Sequence, residues 1–402
     1  MQFARAAHGA GYPAADLEER IIELGTALGL PGVQVSATPT LIEVSVGPIG
    51  TQQTVTLRVR PSAVDLDAIA QLDGVVREVL DGDINTDTAL SRVAHITQSP
   101  LRRPWIVVVA AYSLAGAALT PVLGGGWKEV LAGGMVGVVA GAVALPLTRA
   151  PRTEPIVGPV AAIAASFCAA VLVHLGLNSA PDLVTLAAIV SFLPGMTLTI
   201  GVRELATEHL QSGVANTANA VIQLLGIVFG VTVGKSVAVT WFGHLKAESV
   251  QTGFSAPYII AAIIAGLAFT ITLRAQLRSA PLMCSACVLA LVSNAVGKAL
   301  LGPDAGVFIA ALAVAVTGGL IGYAMRQSTL VFVVPGILML VPGSIGLHSM
   351  LQLLSGQTVN GVQAGVNTLV TALAIAYGLM VAVVILPPRL TRADLRNELR
   401  RP

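Results

Sequence analysis

Apolar and polar positions alternate on two different scales along this chain. Through the first hundred residues no apolar run extends beyond a few positions, whereas from Trp105 onward apolar segments recur with short connections between them. About 20 apolar residues cross a bilayer core as a helix. Ten segments of that kind are read, at approximately 105–123, 129–148, 156–177, 182–202, 214–242, 256–274, 281–300, 304–323, 328–348 and 362–386. Their unequal lengths imply tilts or kinks.

The first hundred residues carry shorter periods. Leu17, Ile21, Leu24 and Leu28 share one face of a helix predicted from Ala14 to Leu28, which Gly29 and the Pro31-Gly32 pair end. Three strands follow, Val33 to Ala37, Leu41 to Val46 and Thr54 to Arg60. In the last, Val55, Leu57 and Val59 alternate with Thr56, Arg58 and Arg60, the pattern of a half-buried strand. Leu66, Ile69, Leu72, Val76 and Val79 repeat at helical spacing, and Asn85 to Ile96 is a second, shorter helix. The expected architecture is therefore a soluble α+β domain followed by an all-α polytopic membrane domain. The boundaries are 1–100 for the α+β domain, 101–250 and 251–388 for two groups of five spans, and 389–402 for a basic tail.

Composition agrees with that division. The chain is 54% hydrophobic and 11% charged, against roughly 25% charged residues in a soluble domain. Residues 1–97 hold six arginines and twelve acidic residues, net −6, and the remainder holds 17 basic and nine acidic residues, net +8. An acidic domain argues against a nucleic-acid partner, and the N-terminus shows no continuous apolar core of a secretory signal. Lys and Arg are retained on the cytoplasmic side of short loops. With the α+β domain inside, thirteen basic residues flank the spans inside and three outside, so both termini are expected in the cytoplasm, with the bilayer around the ten spans.

The stretch Ser191 to Gly201, SFLPGMTLTIG, places Pro-Gly inside a span, and a related stretch returns 148 residues later. Pro194 and Gly195 fall on Pro342 and Gly343, Leu205 on Leu353, Gly213-Val214 on Gly361-Val362, and Asn219 on Asn367. The same offset carries spans one to five onto spans six to ten. A duplicated unit with an odd number of spans enters the membrane the other way round, which gives a 5+5 inverted-topology repeat, typical of secondary transporters. A proline in a span removes a backbone donor, tolerated where protein or water satisfies the freed carbonyl. Two readings stand for Pro194-Gly195: a packing kink, or a half-helix N-terminus that takes a carboxylate, with Thr197 and Thr199 beside it.

Other candidates follow from polar residues in apolar surroundings. Asn219 and Asn367 are repeat mates that bind substrate or join helices, and Asn216, Asn219 and Gln223 form a polar stripe on span five. Lys235 lies inside that span, a functional cation or one that snorkels to the outer interface. Arg203, Glu204, Glu208 and His209 follow span four as an interfacial anchor, or as a gate and proton-coupling group. Glu129, Asp182 and Asp304 are weaker proton carriers at span ends. Cys284 and Cys287 read as small packing residues, Cys168 as another apolar-run cysteine, and no metal or cofactor set is completed. No hydrolase or nucleotide-binding motif stands in a usable context, so a gradient must supply the energy. Gly133, Gly134, Gly137 and Gly141 make a small-residue face for helix packing within or between chains, which leaves a homo-oligomer open.

Three stretches resemble the bacterial threonine/serine exporters, over nearly the whole chain. They are LEERIIELGTALGLPGVQVSATPTLIEVSVG with VLDGDINTDTALSRVAHI in the first domain, PGMTLTIGVRELATEHLQSGVANTAN in the first half, and VPGSIGLHSMLQLLSG in the second. The resemblance implies a secondary exporter of threonine and serine in the cytoplasmic (inner) membrane, driven by the proton motive force, and not an enzyme. Carried over residue by residue, it points to Pro194, Gly195, Thr197, Thr199, Arg203, Glu204, Ser212 and Gly213, and to Pro342 and Gly343. His209 stands where a small or acidic residue is expected. The competing readings are a membrane-embedded hydrolase or signalling protein worked by its N-terminal domain, and a channel.

Overall fold

The computed structural model describes residues 1–60, 63–98, 103–148, 150, 152–177, 179–243, 258–340, 347, 351–352 and 358–386. The first domain contains α1 (Gln2–Gly9), α2 (Ala14–Ala27), β1 (Gln34–Thr38), β2 (Leu41–Val46), β3 (Gln53–Arg58), α3 (Leu66–Asp81) and α4 (Thr86–Gln98). The strands form one antiparallel sheet in the order β1-β2-β3, with Ile42 opposite both Ala37 and Leu57. Ile42 and Val44 are buried while Leu41 and Glu43 are not, as the two-residue period of a strand requires. Leu17, Ile42, Leu66, Ile69 and Leu72 are fully buried and form the core. Asp65 caps α3 by accepting from the Ala68 N–H at 3.0 Å, and Gly82 ends it at φ 75°, the left-handed conformation glycine adopts without a Cβ penalty.

Three sequence expectations need correction here. Leu28 lies beyond the end of α2 and is exposed rather than on its buried face. β3 is an edge strand, and Val55 stays 52% exposed, so its alternation reflects strand propensity more than burial. α1 was not predicted at all, because its buried residues are Ala4, Ala6 and Ala7, and alanines give almost no periodic signal.

The membrane domain contains α5 (Trp105–Val122), α6 (Trp127–Leu147), α7 (Val157–His174), α8 (Pro181–Ile189), α9 (Gly195–Ala206), α10 (Leu210–Phe242), α11 (Tyr258–Thr272), α12 (Ala280–Leu301), α13 (Pro303–Met325), α14 (Leu330–Leu340) and α15 (Thr358–Ile385). Among the described residues seven helices are long and apolar enough to cross a membrane, eight when a bent pair counts as one. Ten spans are not confirmed among the described residues. α11 with 15 described residues and α14 with 11 are apolar, and each adjoins residues outside the described ones. Large apolar side chains such as Ile222, Phe229 and Leu131 point outward, the arrangement of a lipid-facing surface. Exposed Trp105, Trp127 and Trp241 stand at or near helix ends, where aromatic rings favour the membrane interface.

Glycines set how closely helices approach. A Cβ at Gly137 would lie 2.6 Å from the Tyr112 carbonyl oxygen, and one at Gly133 2.5 Å from Thr120 Oγ1. The glycine face of α6 is thus occupied by α5 of the same chain. Cys287 is buried and Cys284 partly so, each directing sulfur at a backbone carbonyl, Pro335 and Ile263 respectively, and no His, Cys, Asp or Glu group suited to a metal occurs among the described residues.

The first domain docks on one end of the helices. Leu66 N–H donates to the Leu273 carbonyl at 3.0 Å, and Gln276 Nε2 to Asp67. Among the described residues, ion pairs of Arg203 with Asp16 at 3.0 Å, Arg274 with Asp65 at 3.6 Å and Arg326 with Asp81 at 3.4 Å join the acidic domain to basic helix ends. The two opposite net charges of the halves therefore meet at one seam.

Candidate functional site at the broken span

α8 begins with Pro181 at its first helical position, passes into a 3-10 turn over Val190–Phe192, and stops. Leu193 is extended at φ −70°, ψ 135°, and α9 restarts after Pro194 with its axis bent by 60°. Proline lacks the N–H that would continue the ladder, so the break falls where the Pro-Gly pair predicted it. The first helical bond of α9 runs from Leu198 N–H to the Pro194 carbonyl at 2.9 Å. That leaves the N–H groups of Gly195, Met196 and Thr197 without an intrahelical partner, at the positive end of the helix dipole. Pro194 and Gly195 are buried, and the Ser191 hydroxyl beside them is buried with no partner. Thr199 donates back to the Gly195 carbonyl at 2.9 Å, while Thr197 is half-buried.

α9 is clasped from two sides. Leu198 and Val202 pack with Ala220 of α10 and with Ala372 and Ala376 of α15, so helices far apart in sequence meet at the break. The approach of α10 is close: a Cβ at Gly201 would lie 2.6 Å from Thr217 Oγ1, and one at Gly213 2.7 Å from the Leu205 nitrogen. Between α9 and α10 the chain turns through Glu208, which holds φ 66° and is exposed.

This tight hairpin encloses a buried carboxyl. Glu204 is 1% exposed, and its Oε2 accepts from Ser212 Oγ at 2.8 Å and from Asn216 Nδ2 at 2.7 Å. Its other oxygen, Oε1, is buried with no partner. An unsatisfied buried carboxylate oxygen is costly. Glu129, the other buried glutamate of the helices, has no such vacancy: Oε2 accepts from Gly126 N–H at 2.9 Å and Oε1 from Ala180 N–H at 3.3 Å. Glu129 is a helix cap. Glu204 is a carboxyl half held and half free.

Its neighbours face the first domain. Arg203 pairs with Asp16 of α2, and His209 Nε2 lies 3.4 Å from Glu18 Oε2 while its Nδ1 lies 3.0 Å from the Thr207 carbonyl. Glu18 is itself held by the Ala37 N–H at 2.6 Å. Both nitrogens of His209 thus face oxygen atoms of other groups.

The structure sets two groups at opposite ends of α9, Pro194, Gly195, Thr197 and Thr199 at its start and Arg203, Glu204, His209 and Asn216 at its close, roughly 14 Å apart along the helix. It separates the rest. Asn219 and Asn367 are exposed on α10 and α15, so the polar stripe of span five splits, with Asn216 on Glu204 and Asn219 outward. Lys235 pairs with Asp182 at 2.6 Å, both side chains substantially exposed, as a snorkelling lysine does. Pro342 and Gly343 lie outside the described residues. Glu18, Ser191 and Thr217 lie inside the quoted stretches and Asp16 outside them, but nothing in their type or spacing distinguishes any of the four as a site residue. The acidic residues near Asp16 signalled only a solvated helix face.

Apolar spanning helices folded round a broken helix with a buried polar cluster define a multi-pass membrane protein. A family model described as "Putative threonine/serine exporter" matches residues 1–238, and one described as "Threonine/Serine exporter, ThrE" matches residues 257–385. The chain belongs to the threonine/serine exporter family and is a membrane transporter, not an enzyme. It is similar to the "Threonine/serine exporter" of Corynebacterium glutamicum, 24% identical over 92% of this chain and 78% of that one. A "Probable threonine/serine exporter" of Mycobacterium tuberculosis is 26% identical over 93% and 72% respectively. "Pheromone-regulated membrane protein 10" of Saccharomyces cerevisiae is 26% identical over 92% of this chain and 49% of its own length. No solved structure matches.

Proposed function

We propose that this protein exports threonine and serine across the bacterial cytoplasmic membrane, drawing on the proton motive force, with both termini in the cytoplasm. The family match over both halves of the chain is the observation that carries the substrate class. Alternating access works around the broken span as part of a 5+5 inverted repeat. The substrate carboxylate meets the free N–H groups of Gly195, Met196 and Thr197, which need no buried cation to hold an anion, and the Ser191 and Thr197 hydroxyls lie on the same stretch of chain.

Glu204 carries the proton in this reading. Its unpartnered Oε1 can take a proton or give one up without breaking the bonds from Ser212 and Asn216, and the Arg203–Asp16 and His209–Glu18 contacts latch that end of α9 to the first domain. The test is counterflow of labelled threonine in proteoliposomes, with serine, alanine and valine as competitors, with and without a pH gradient. Saturable counterflow blocked by serine is expected, and the gradient should bias it. Glu204→Gln should keep counterflow and lose the gradient response. Counterflow absent from folded protein sinks the substrate assignment; a Glu204→Gln variant that still follows the gradient sinks the proton role.

A further inference from the structure

A cavity of about 390 Å³ lies in the seam between the two domains, walled by α3 and α4 on one side and by the α11–α12 and α13–α14 connections on the other. Its lining runs against the charge of the acidic domain that forms half of it. Arg77, Arg92, Arg278 and Arg326 line it with His95, against Asp67 and Glu78. The two acids are already engaged, since Glu78 pairs with Arg92 and Asp67 accepts from Gln71 and Gln276. Arg326 is turned to Asp81. Among the described residues neither Arg77 nor Arg278 has an acid within ion-pair distance, and Arg77 is half-buried, where loss of solvation opposes its charge and Asp73 one turn back on α3 attracts it only at longer range. Ser328 supplies a separate sign of a missing ligand: it lines the same cavity, is 5% exposed, and its hydroxyl is buried with no partner.

We propose that this seam binds a phosphate-bearing anion, held by Arg77 and Arg278 with the Ser328 hydroxyl as a further donor. Guanidinium forks match the spacing of phosphate oxygens and remain charged at every physiological pH. Two guanidiniums with no contacting acid and a hydroxyl with no partner leave donors in excess, which a polyacceptor anion satisfies and a cation does not. The ligand touches α3 and both helix connections at once, so occupancy fastens the first domain to the helices. The same phosphate chemistry comes from two sources. A soluble phosphate compound enters from the water side, and an anionic phospholipid headgroup enters from the membrane side, where Leu277 beside Arg278 is 65% exposed.

The experiment uses the full-length purified protein. Inorganic pyrophosphate is titrated in detergent while thermal unfolding and calorimetric heat are followed, and unfolding is compared between nanodiscs of phosphatidylglycerol and of phosphatidylcholine. Arg278→Gln, Arg77→Gln and Ser328→Ala are measured beside Arg58→Gln, an exposed arginine of β3 outside the cavity. A pyrophosphate response weakened roughly tenfold by Arg278→Gln, the worth of one charge-assisted hydrogen bond, and unchanged in Arg58→Gln, establishes a soluble ligand site. Stabilisation by phosphatidylglycerol alone, lost in the same variant, establishes a lipid headgroup site. No response to either, or a response equal in Arg278→Gln and wild type, overturns the proposal. Arg278 is exposed, so its variant decides the matter even where Arg77→Gln fails to fold.

Discussion

Removing the Ser212 hydroxyl tests the buried carboxyl most directly. In Ser212→Ala the Glu204 Oε2 loses the 2.8 Å donor and keeps only the 2.7 Å bond from Asn216. A hydrogen bond to a charged group is worth roughly 1.5–3 kcal/mol and one between neutral groups roughly 0.5–1.5. In Glu204→Gln the same hydroxyl meets a neutral amide oxygen, so removing Ser212 there costs only the smaller amount. The interaction term of the cycle is therefore about 1 kcal/mol at a pH where Glu204 is ionised, and it shrinks toward zero once the carboxyl is protonated. The four proteins are unfolded from mixed micelles by increasing SDS, at several pH values, with helical content as the readout. Such cycles inside membrane proteins average about 0.6 kcal/mol and reach about 1.7, so the expected value is resolvable. A term indistinguishable from zero across the whole pH range would refute a charged Glu204 held by Ser212.

Further outcomes follow from the same geometry. Gly213→Ala places a methyl 2.7 Å from the backbone nitrogen of Leu205, so α9 and α10 must part; a loss of about 1–3 kcal/mol is expected in the same unfolding assay, with slower threonine counterflow. Arg203→Gln and Asp16→Asn break a pair whose side chains are each 25% exposed. Each should cost no more than about 1 kcal/mol, yet limited proteolysis of the first domain should quicken in both, and no further in the double variant. Burial lowers the His8 imidazole below its ordinary value of 6.5, so the unfolded chain binds the extra proton. Its contribution to the first domain's stability is complete above pH 6.5 and falls as pH drops toward the lowered value; His8→Gln should flatten that part of a stability-against-pH curve.

Part of the site was legible before any coordinates. Pro194-Gly195 marked the break because a missing N–H and a missing Cβ act locally, whatever surrounds them. Proximity in sequence groups Glu204 with Arg203, Glu208 and His209, and nothing along the chain separates it from them. Helical geometry and the glycine contacts at Gly201 and Gly213 turn Glu204 inward onto Ser212 and Asn216, while Arg203 and His209 turn toward Asp16 and Glu18. Asn219 lies only three residues from Asn216, yet it faces outward.

Properties that depend on local chemistry are readable along the chain: an acidic α+β domain, helices too apolar to stay in water, a break at Pro194, and membership of a transporter family. Each needs only a hydrophobic period, a charge count or a residue with unusual backbone freedom. The tertiary structure alone decided which polar groups are satisfied. Whether Glu129 is a cap and Glu204 a half-free carboxyl depends on which donors arrive from α8 and α10, and whether arginines at the seam are paired or free depends on how the first domain docks. Those are contacts between residues as far apart as Asp67 and Gln276, and no periodicity along the chain encodes them.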